Sequence, residues 1–164
     1  MTSLPTDIED AESLARFILS ASWLYRDERP GCPVRLNAFL PHPRVELSVY
    51  RTTGWHESEI SAQGTEVASD RELAHRDRSM ASGEPYPANK TTFRYLGRGE
   101  LSAANVRASG LNVVAKEPPI RHADIIGWPP LTNNRKHDEA SQMAFAIKLQ
   151  ASARFVEAAK SHGS

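Results

Sequence analysis

The proline-rich segment 117–130 constrains the fold of this chain more than any other stretch. It holds four prolines, one tryptophan and one glycine around a short run at 123–126 that is apolar except for Asp124. Because proline fixes its own φ and cannot donate a hydrogen bond to a sheet, the segment predicts a short buried strand that is entered and left through rigid turns. Such a backbone places Arg121 and His122 at the mouth of the strand, where they can contact a ligand or a partner.

The length and composition predict one domain that spans residues 1–164. A chain of this length, 40% hydrophobic and 24% charged, suits a single core better than two. No apolar run approaches the roughly 20 residues that a membrane helix needs. The N-terminus lacks a signal-peptide pattern, and the single cysteine, Cys32, excludes an intrachain disulfide. We therefore expect a cytoplasmic protein with no membrane contact.

The charge balance argues against a protein that coats nucleic acid. Twenty Lys and Arg residues balance twenty Asp and Glu residues, so the chain has no net charge. Arg71, Arg76 and Arg78 cluster in the middle of the chain, but Asp70 and Asp77 are interleaved with them. We interpret this run as a solvated mixed-charge segment in preference to a phosphate-binding patch. Nucleic-acid binding ranks last among the functions considered.

The first third of the chain predicts a helix and a hairpin. Thr6 and Glu9 form a capping-box pattern, and the apolar residues that follow recur at three- and four-residue steps, so we expect an N-terminal helix that ends by Pro30. Residues 34–40 and 45–51 both alternate apolar and polar side chains. This alternation predicts two antiparallel strands joined by a short loop.

A modest helix and a long polar loop are expected next. Ile60 and Val67 suit a helix at 55–68, which Gly64 weakens by about 1 kcal/mol. The following span, 69–89, has almost no large apolar residues. It predicts a flexible polar loop.

The second half predicts three more strands. They are expected at 91–96, 111–114 and 123–126, where β-branched and large apolar residues concentrate. Residues 97–99 predict a turn after the first of these strands. A short helix at 101–109 should follow and end at Gly110, which is placed where a left-handed helix cap is wanted.

The last predicted element is a long helix at 135–160 with a broad apolar stripe. Phe145, Leu149 and Val156 share one side of that stripe. Core packing is the favoured role of the stripe, and contact with a protein partner or a second copy of the chain is the alternative. The predicted fold is therefore α+β: a small, mostly antiparallel sheet of about five strands, with an N-terminal helix and a long C-terminal helix packed on it.

Two groups of residues have the chemistry of a site. Alternate residues of a strand face the same side, so His122 and Asp124 can form a pair in which the carboxylate fixes the tautomer of the imidazole and raises its basicity. A buried histidine with a purely structural role also requires a hydrogen-bond partner such as Asp124, and this role is the more common one. Arg51 and Arg121 are candidates to hold an anion, although an ordinary ion pair is the favoured role for Arg51.

Other kinds of site lack a recognisable pattern. The sequence has no His-x-x-x-His run, no cysteine pair, no Gly-x-Ser-x-Gly elbow and no Walker or dinucleotide fingerprint. The Gly-Arg-Gly run at 97–99 is too short for a phosphate-binding loop. We predict no metal site and no cofactor.

Three segments together resemble a group of short, uncharacterised bacterial proteins. They are Leu-Ser-Val-Tyr-Arg at 47–51, Gly-Leu-Asn-Val-Val at 110–114 and Pro-Pro-Ile-Arg-His-Ala-Asp-Ile-Ile-Gly-Trp-Pro at 118–129. The similarity covers roughly residues 34–130. It implies a bacterial cytosolic protein with one small domain, and it implies no activity and no catalytic residue.

Two functions fit these observations. The first is a small cytosolic bacterial accessory protein that works with a larger protein partner, because the chain lacks a catalytic motif and offers a broad-striped helix. The alternative is an enzyme that acts on a phosphate-containing substrate. In that enzyme His122 would carry a proton, Asp124 would orient His122, and Arg51 and Arg121 would hold the anion.

Overall fold

The computed structural model describes residues 4–27, 32–41, 45–86 and 91–159. These residues form an α+β fold in which a six-stranded antiparallel sheet carries helices on both faces. In chain order its strands and α-helices are β1 (Ser13–Ile18), β2 (Leu47–Arg51), α1 (Glu57–Ala81), β3 (Gly97–Ser102), α2 (Ala103–Ala108), β4 (Asn112–Ala115), β5 (His122–Ile126), α3 (Arg135–Ser152) and β6 (Arg154–Glu157). The predicted class, an antiparallel sheet with helices packed on it, is confirmed.

The sheet order places the first two strands at its centre. The strands run β4-β5-β2-β1-β3-β6, and each neighbouring pair is antiparallel. Because helices pack on both faces of the sheet, most side chains of β1 and β2 are buried on both faces. Leu14, Leu47 and Val49 point into the core that α2 and α3 cover, whereas Phe17 and Tyr50 point into the core beneath α1.

The two central strands separate along half of their length. β1 pairs with β3 at six positions, Ser13 through Ile18, but with β2 only at Leu14 and Ala15. The Arg16 side chain bridges the resulting gap. Its Nε donates to the Ala38 carbonyl at 2.8 Å, and its Nη1 donates to the Ser48 carbonyl of β2 at 3.1 Å. A charged side chain thus lies where a sheet usually has only backbone hydrogen bonds.

The predicted N-terminal helix is wrong, because residues 13–18 form β1. A central strand is apolar on both faces, so its side chains produce nearly continuous hydrophobicity that also satisfies helical spacing. Leu14 and Ile18 enter one core, whereas Ala15 and Phe17 enter the other. Residues 13–18 form a strand and not a helix because their backbone pairs with β2 and β3, and this pairing depends on distant residues.

The predicted strand at 34–40 is also wrong. Residues Leu36–Phe39 form a 3-10 turn that buries Ala38 and Phe39, and Val34 makes only an isolated bridge to Leu24. The second member of the predicted hairpin is confirmed as β2, but its neighbours are β1 and β5. Residues 42–44 of the expected loop lie outside the described residues.

The predicted polar loop at 69–89 is replaced by helix as far as residue 81. α1 runs without interruption from Glu57 to Ala81, and residues 87–89 lie outside the described part of the chain. Its second half, residues 69–81, contains three Arg, two Ala and one each of Leu, Glu and Met, which have high helix propensity. Gly64 permits close packing of the first half, since a Cβ at this position would meet the Tyr95 ring at 2.5 Å.

The predicted strand at 91–96 is wrong, because these residues form neither helix nor strand, and β3 begins at Gly97. The Gly-Arg-Gly run at 97–99, predicted as a turn, is part of this strand and pairs on both sides, with β1 and with β6. The final helix ends at Ser152, and residues 154–157 turn back to form β6 at the sheet edge. Residue 160 lies outside the described residues.

Other local predictions are confirmed. The short helix predicted at 101–109 is α2, and Gly110 follows it with a left-handed φ of 96°. The strands predicted at 111–114 and 123–126 are β4 and β5. No helix of the described residues is both long enough and apolar enough to cross a membrane.

An ion pair between β2 and the segment before β1 is enclosed in the fold. The side chain of Arg51 is 1% exposed, and its Nε and Nη2 donate to the two carboxylate oxygens of Glu12 at 2.7 and 2.6 Å. Its Nη1 donates to the Pro5 carbonyl at 2.6 Å. All three nitrogens of this guanidinium therefore have partners within the chain.

Removal of Glu12 should destabilise the fold strongly. In Glu12→Ala the charge of Arg51 stays buried without its carboxylate, which costs about 3–5 kcal/mol of unfolding free energy. Urea denaturation measures the loss. Glu139→Ala is the matched control, because it removes a carboxylate that pairs with the exposed Arg135, and such pairs contribute less than about 1 kcal/mol. Equal losses in the two variants would contradict the structural role of the buried pair.

Candidate functional site

A cavity of about 740 Å³ opens where β1 and β2 separate. Strand residues line one side of it, and residues from the C-terminal half of α1 line another. Its charged and proton-carrying side chains are Arg16, Glu46, Ser48, Arg71, Arg78, Lys116, His122 and Asp124. They form a serine–histidine group on the sheet and an arginine group that spans the cavity.

The serine–histidine group rests on the pairing of β2 with β5. Ser48 lies opposite Asp124, and His122 lies opposite Tyr50, so all four side chains leave the sheet on the α1 side. The Ser48 hydroxyl is 2.5 Å from Nε2 of His122. Ser48 is exposed, whereas the other β2 residues are buried. Its hydroxyl is therefore open to molecules that enter the cavity.

The tautomer of His122 follows from its second nitrogen. Nδ1 lies 2.8 Å from the backbone carbonyl of Lys116. A carbonyl oxygen only accepts, so Nδ1 carries a proton. In the neutral imidazole the lone pair is then on Nε2 and faces the Ser48 hydroxyl. This is the arrangement of a base that can take a proton from the cavity side.

Asp124 lies beside His122, as predicted, but it does not contact the ring nitrogen whose partner fixes the tautomer. Its Oδ1 is 3.6 Å from Nε2, the nitrogen that also faces Ser48. The Lys116 carbonyl, and not Asp124, orients the ring. The other oxygen of Asp124 is 3.0 Å from the Lys116 ammonium, which also contacts Glu46 at 3.0 Å. Hydrogen bonds to Glu46 and Asp124 raise the pKa of Lys116.

The arginine group combines a strand residue with two residues of α1. Arg71 and Arg78 are seven residues apart, about two helical turns, and so face the same side. The guanidinium carbons of Arg16 and Arg71 lie 5.1 and 5.2 Å from the centre of the Trp23 ring. Burial and the charge of Arg71 lower the pKa of Arg16 to about 10. Burial and the charge of Arg78 lower the pKa of Arg71.

The arginine group lacks carboxylate partners. Within the described residues, no Asp or Glu oxygen forms a salt bridge with Arg16, Arg71 or Arg78. Both carboxylates of the cavity, Glu46 and Asp124, contact Lys116 instead. The cavity therefore holds an excess of positive charge in a chain that is neutral as a whole. Such a site favours an anion.

Arg51 and Arg121, the predicted anion-binding residues, do not line this cavity. Arg51 pairs with Glu12 in the interior. Arg121 is 6% exposed, its Nη1 donates to the Thr53 carbonyl at 2.5 Å, and its guanidinium lies 4.5 Å from the centre of the Trp55 ring. The Nε of Arg121 is buried and has no hydrogen-bond partner among the residues that the structure describes. Neither side chain reaches His122, so the expected group of two arginines and a histidine does not form.

The predicted partner-binding residues do not share one exposed helix face. Leu149 is fully buried in the core, Phe145 packs against Trp128, and Val156 lies in β6 opposite Arg98. The shared face was expected only because the final helix was predicted to continue through residue 156. Binding of a partner through these residues stays a prediction.

Sequence reasoning missed most residues of the cavity. Ser48 and His122 are 74 residues apart, so no local pattern joins them. Arg16 lies in a segment that was predicted as helix, and Lys116 orients His122 through its backbone carbonyl, which no side-chain pattern indicates. If residues 69–81 had been interpreted as helix, the seven-residue spacing of Arg71 and Arg78 would have indicated that these two members of the arginine group face the same side.

Comparison with known proteins leaves the site to be interpreted from its own residues. The chain matches no protein-family model, no curated protein and no solved structure. Across residues 4–27, 32–41, 45–86 and 91–159, no group of three or more His, Cys, Asp or Glu side chains is placed to hold a metal ion. The resemblance to a bacterial group stays a prediction.

Loss of the α1 arginines should weaken anion binding. In the double variant Arg71→Gln, Arg78→Gln, two donors of charge-assisted hydrogen bonds are lost, each worth about 1.5–3 kcal/mol. We expect the affinity for inorganic phosphate or pyrophosphate to fall by about tenfold or more for each arginine that contacts the anion. Isothermal titration calorimetry at low salt measures the change.

Arg76→Gln is the control for this experiment. Arg76 is exposed on the same helix, but it lies over the Tyr86 ring, away from the cavity. The control removes one positive charge without touching the cavity. An equal loss of affinity in the control would mean that phosphate binds through overall charge and not at this site.

Proposed function

We propose that this protein is an enzyme that acts on a phosphate-containing substrate, bound in the cavity between the central strands and α1. One observation carries the proposal. Three arginines that form no salt bridge with any described Asp or Glu face the cavity in which Nε2 of His122 meets an exposed hydroxyl. Positive charge beside a group that can accept a proton is what phosphate chemistry requires.

The arginines provide the binding energy. A planar guanidinium matches two oxygens of a phosphate and stays charged at neutral pH, even where burial lowers its pKa. Arg16, Arg71 and Arg78 offer such donors from two walls of the cavity. Placing these like charges together costs stability in the empty protein, and an anionic ligand would recover that cost.

His122 provides the proton transfer. Its Nδ1 is held by the Lys116 carbonyl, so Nε2 can take a proton from a hydroxyl or a water molecule and return it to a leaving group. The imidazolium formed in between lies 3.6 Å from the Asp124 carboxylate, which stabilises its charge. Lys116 contacts the same carboxylate and reduces its repulsion of an incoming phosphate.

The size of the cavity indicates a small substrate. Its volume of about 740 Å³ falls within the roughly 300–1,000 Å³ that small-molecule sites occupy. A phosphorylated metabolite of nucleotide size fits this space. The site thus favours a small phosphate ester over a macromolecule.

Replacement of His122 should abolish activity and leave the fold intact. We expect His122→Ala to lower kcat for hydrolysis of 4-nitrophenyl phosphate or bis(4-nitrophenyl) phosphate by about 10²–10⁴-fold, the usual contribution of a general base. The melting temperature should change little, because His122 is not fully buried. Stopped assays and thermal unfolding measure the two quantities.

His137→Ala controls for a histidine outside the site, on the exposed start of α3. It should retain full activity. A large loss of stability in His122→Ala with activity retained per folded molecule would mark His122 as structural. No turnover of either ester by the wild-type protein would contradict the proposed function.

An accessory role with a larger protein partner is the second candidate. The observation that favours it is an exposed apolar strip on α3, where Met143 and Ile147, one turn apart, are 43% and 53% exposed. Such side chains are often buried at interfaces. Native mass spectrometry of complexes purified from the host tests this role, and an association that survives Ile147→Asp would exclude this strip.

A further inference from the structure

We infer that Ser48 is the nucleophile of the reaction and that the substrate's phosphoryl group passes through a phosphoserine at this position. The inference rests on the proposed function and adds the atom that forms the bond. Ser48 is the one exposed residue of β2. Its hydroxyl is held 2.5 Å from the nitrogen of His122 that can accept a proton.

The geometry is that of an activated hydroxyl. A serine is a weak nucleophile unless a neighbouring base takes its proton, and that base must be held in the correct tautomer by a third group. Here His122 is the base and the Lys116 carbonyl, 2.8 Å from Nδ1, is the third group. A serine–histidine bond that served the fold alone would be expected in the interior, whereas this hydroxyl opens to the cavity.

Arg16 is placed to stabilise the phosphoryl group at Ser48. Two of its nitrogens are fixed by backbone carbonyls, and one of these carbonyls belongs to Ser48 itself. The third nitrogen, Nη2, makes no hydrogen bond to the described residues. A donor fixed beside the nucleophile, with one nitrogen left for the substrate, needs no reorganisation when charge develops on the phosphoryl oxygens.

The reaction balances with water as the only co-reactant. In the first step Oγ of Ser48 forms a bond to phosphorus while the bond from phosphorus to the leaving oxygen breaks. His122 takes the proton of Ser48 and passes it to that oxygen. In the second step water attacks the phosphoserine and its proton goes to His122. The bond from Oγ to phosphorus then breaks, phosphate leaves, and His122 returns the proton to Ser48.

Labelling with diisopropyl fluorophosphate tests this role directly. Attack by Ser48 on this probe forms an oxygen–phosphorus bond, releases fluoride and transfers the serine proton to His122. We expect one diisopropylphosphoryl group per chain, mapped by peptide mass spectrometry to Ser48 in the wild-type protein. Ser48→Ala should remain unlabelled, and Ser58→Ala, which removes an exposed serine of α1, should be labelled at the wild-type rate.

Two further variants separate this inference from the proposed function. His122→Ala should slow labelling by about 10²-fold or more, because the base is lost. Arg76→Gln, which lies outside the cavity, should be labelled at the wild-type rate, and phosphate binding is measured separately with the double variant Arg71→Gln, Arg78→Gln.

The outcomes that overturn the inference are distinct. Absence of an adduct at Ser48 in the wild-type protein overturns the role of Ser48 as nucleophile. If phosphate binding still depends on Arg71 and Arg78 in that case, the proposed function remains, with His122 activating a water molecule in place of Ser48. Labelling of Ser48 that depends on His122, in a protein that does not bind phosphate, supports the nucleophile and overturns the phosphate substrate. Equal labelling of the wild-type protein and His122→Ala overturns activation by His122.

Discussion

The Arg16 guanidinium connects the two central strands at the point where their backbones part. Its bonds to the carbonyls of Ala38 and Ser48 satisfy acceptors that face the gap. The same side chain keeps the gap open, because a guanidinium needs more room than a direct strand-to-strand hydrogen bond. The opening between the strands and the position of Ser48 at its edge follow from this insertion into the sheet, and Arg71 and Arg78 of α1 add to the positive charge.

The arrangement is electrostatically costly in the empty protein. Arg16, Arg71 and Arg78 approach one another, and burial together with their mutual repulsion lowers the pKa of the first two. Trp23 offsets part of the cost, since the guanidinium carbons of Arg16 and Arg71 lie about 5 Å from the centre of its ring. The buried Arg51, by contrast, is paired with the carboxylate of Glu12. The arginine group of the cavity differs from that pair, because no Asp or Glu among the described residues forms a salt bridge with it.

The sequence predicted those parts of the fold that local rules determine. β2, β4 and β5 follow from alternation and turn residues, and α2 ends at Gly110 as helix capping requires. β1 escaped detection because a strand buried on both faces imitates an apolar helix. The second half of α1 escaped because a helix that needs few core contacts shows no apolar stripe.

Only the residues of the candidate site that are neighbours in the sequence could be predicted to lie together. His122 and Asp124 are neighbours on one strand, so the alternation rule was sufficient to place them together. The contact between Ser48 and His122 depends on the order of strands in the sheet, which no local pattern encodes. The surroundings of Arg51 and Arg121 could not be predicted for a related reason, because the groups that contact their side chains come from distant parts of the chain.

A crystal structure of the protein with orthovanadate would test the central claim most directly. Vanadate adopts the five-coordinate geometry of phosphoryl transfer and binds where a protein stabilises that geometry. The account predicts vanadate in the cavity, with Oγ of Ser48 as an axial ligand, Arg16 in contact with its equatorial oxygens and Arg71 or Arg78 at its outer side. An empty cavity at saturating vanadate, or an ion bound away from Ser48 and these arginines, would contradict it.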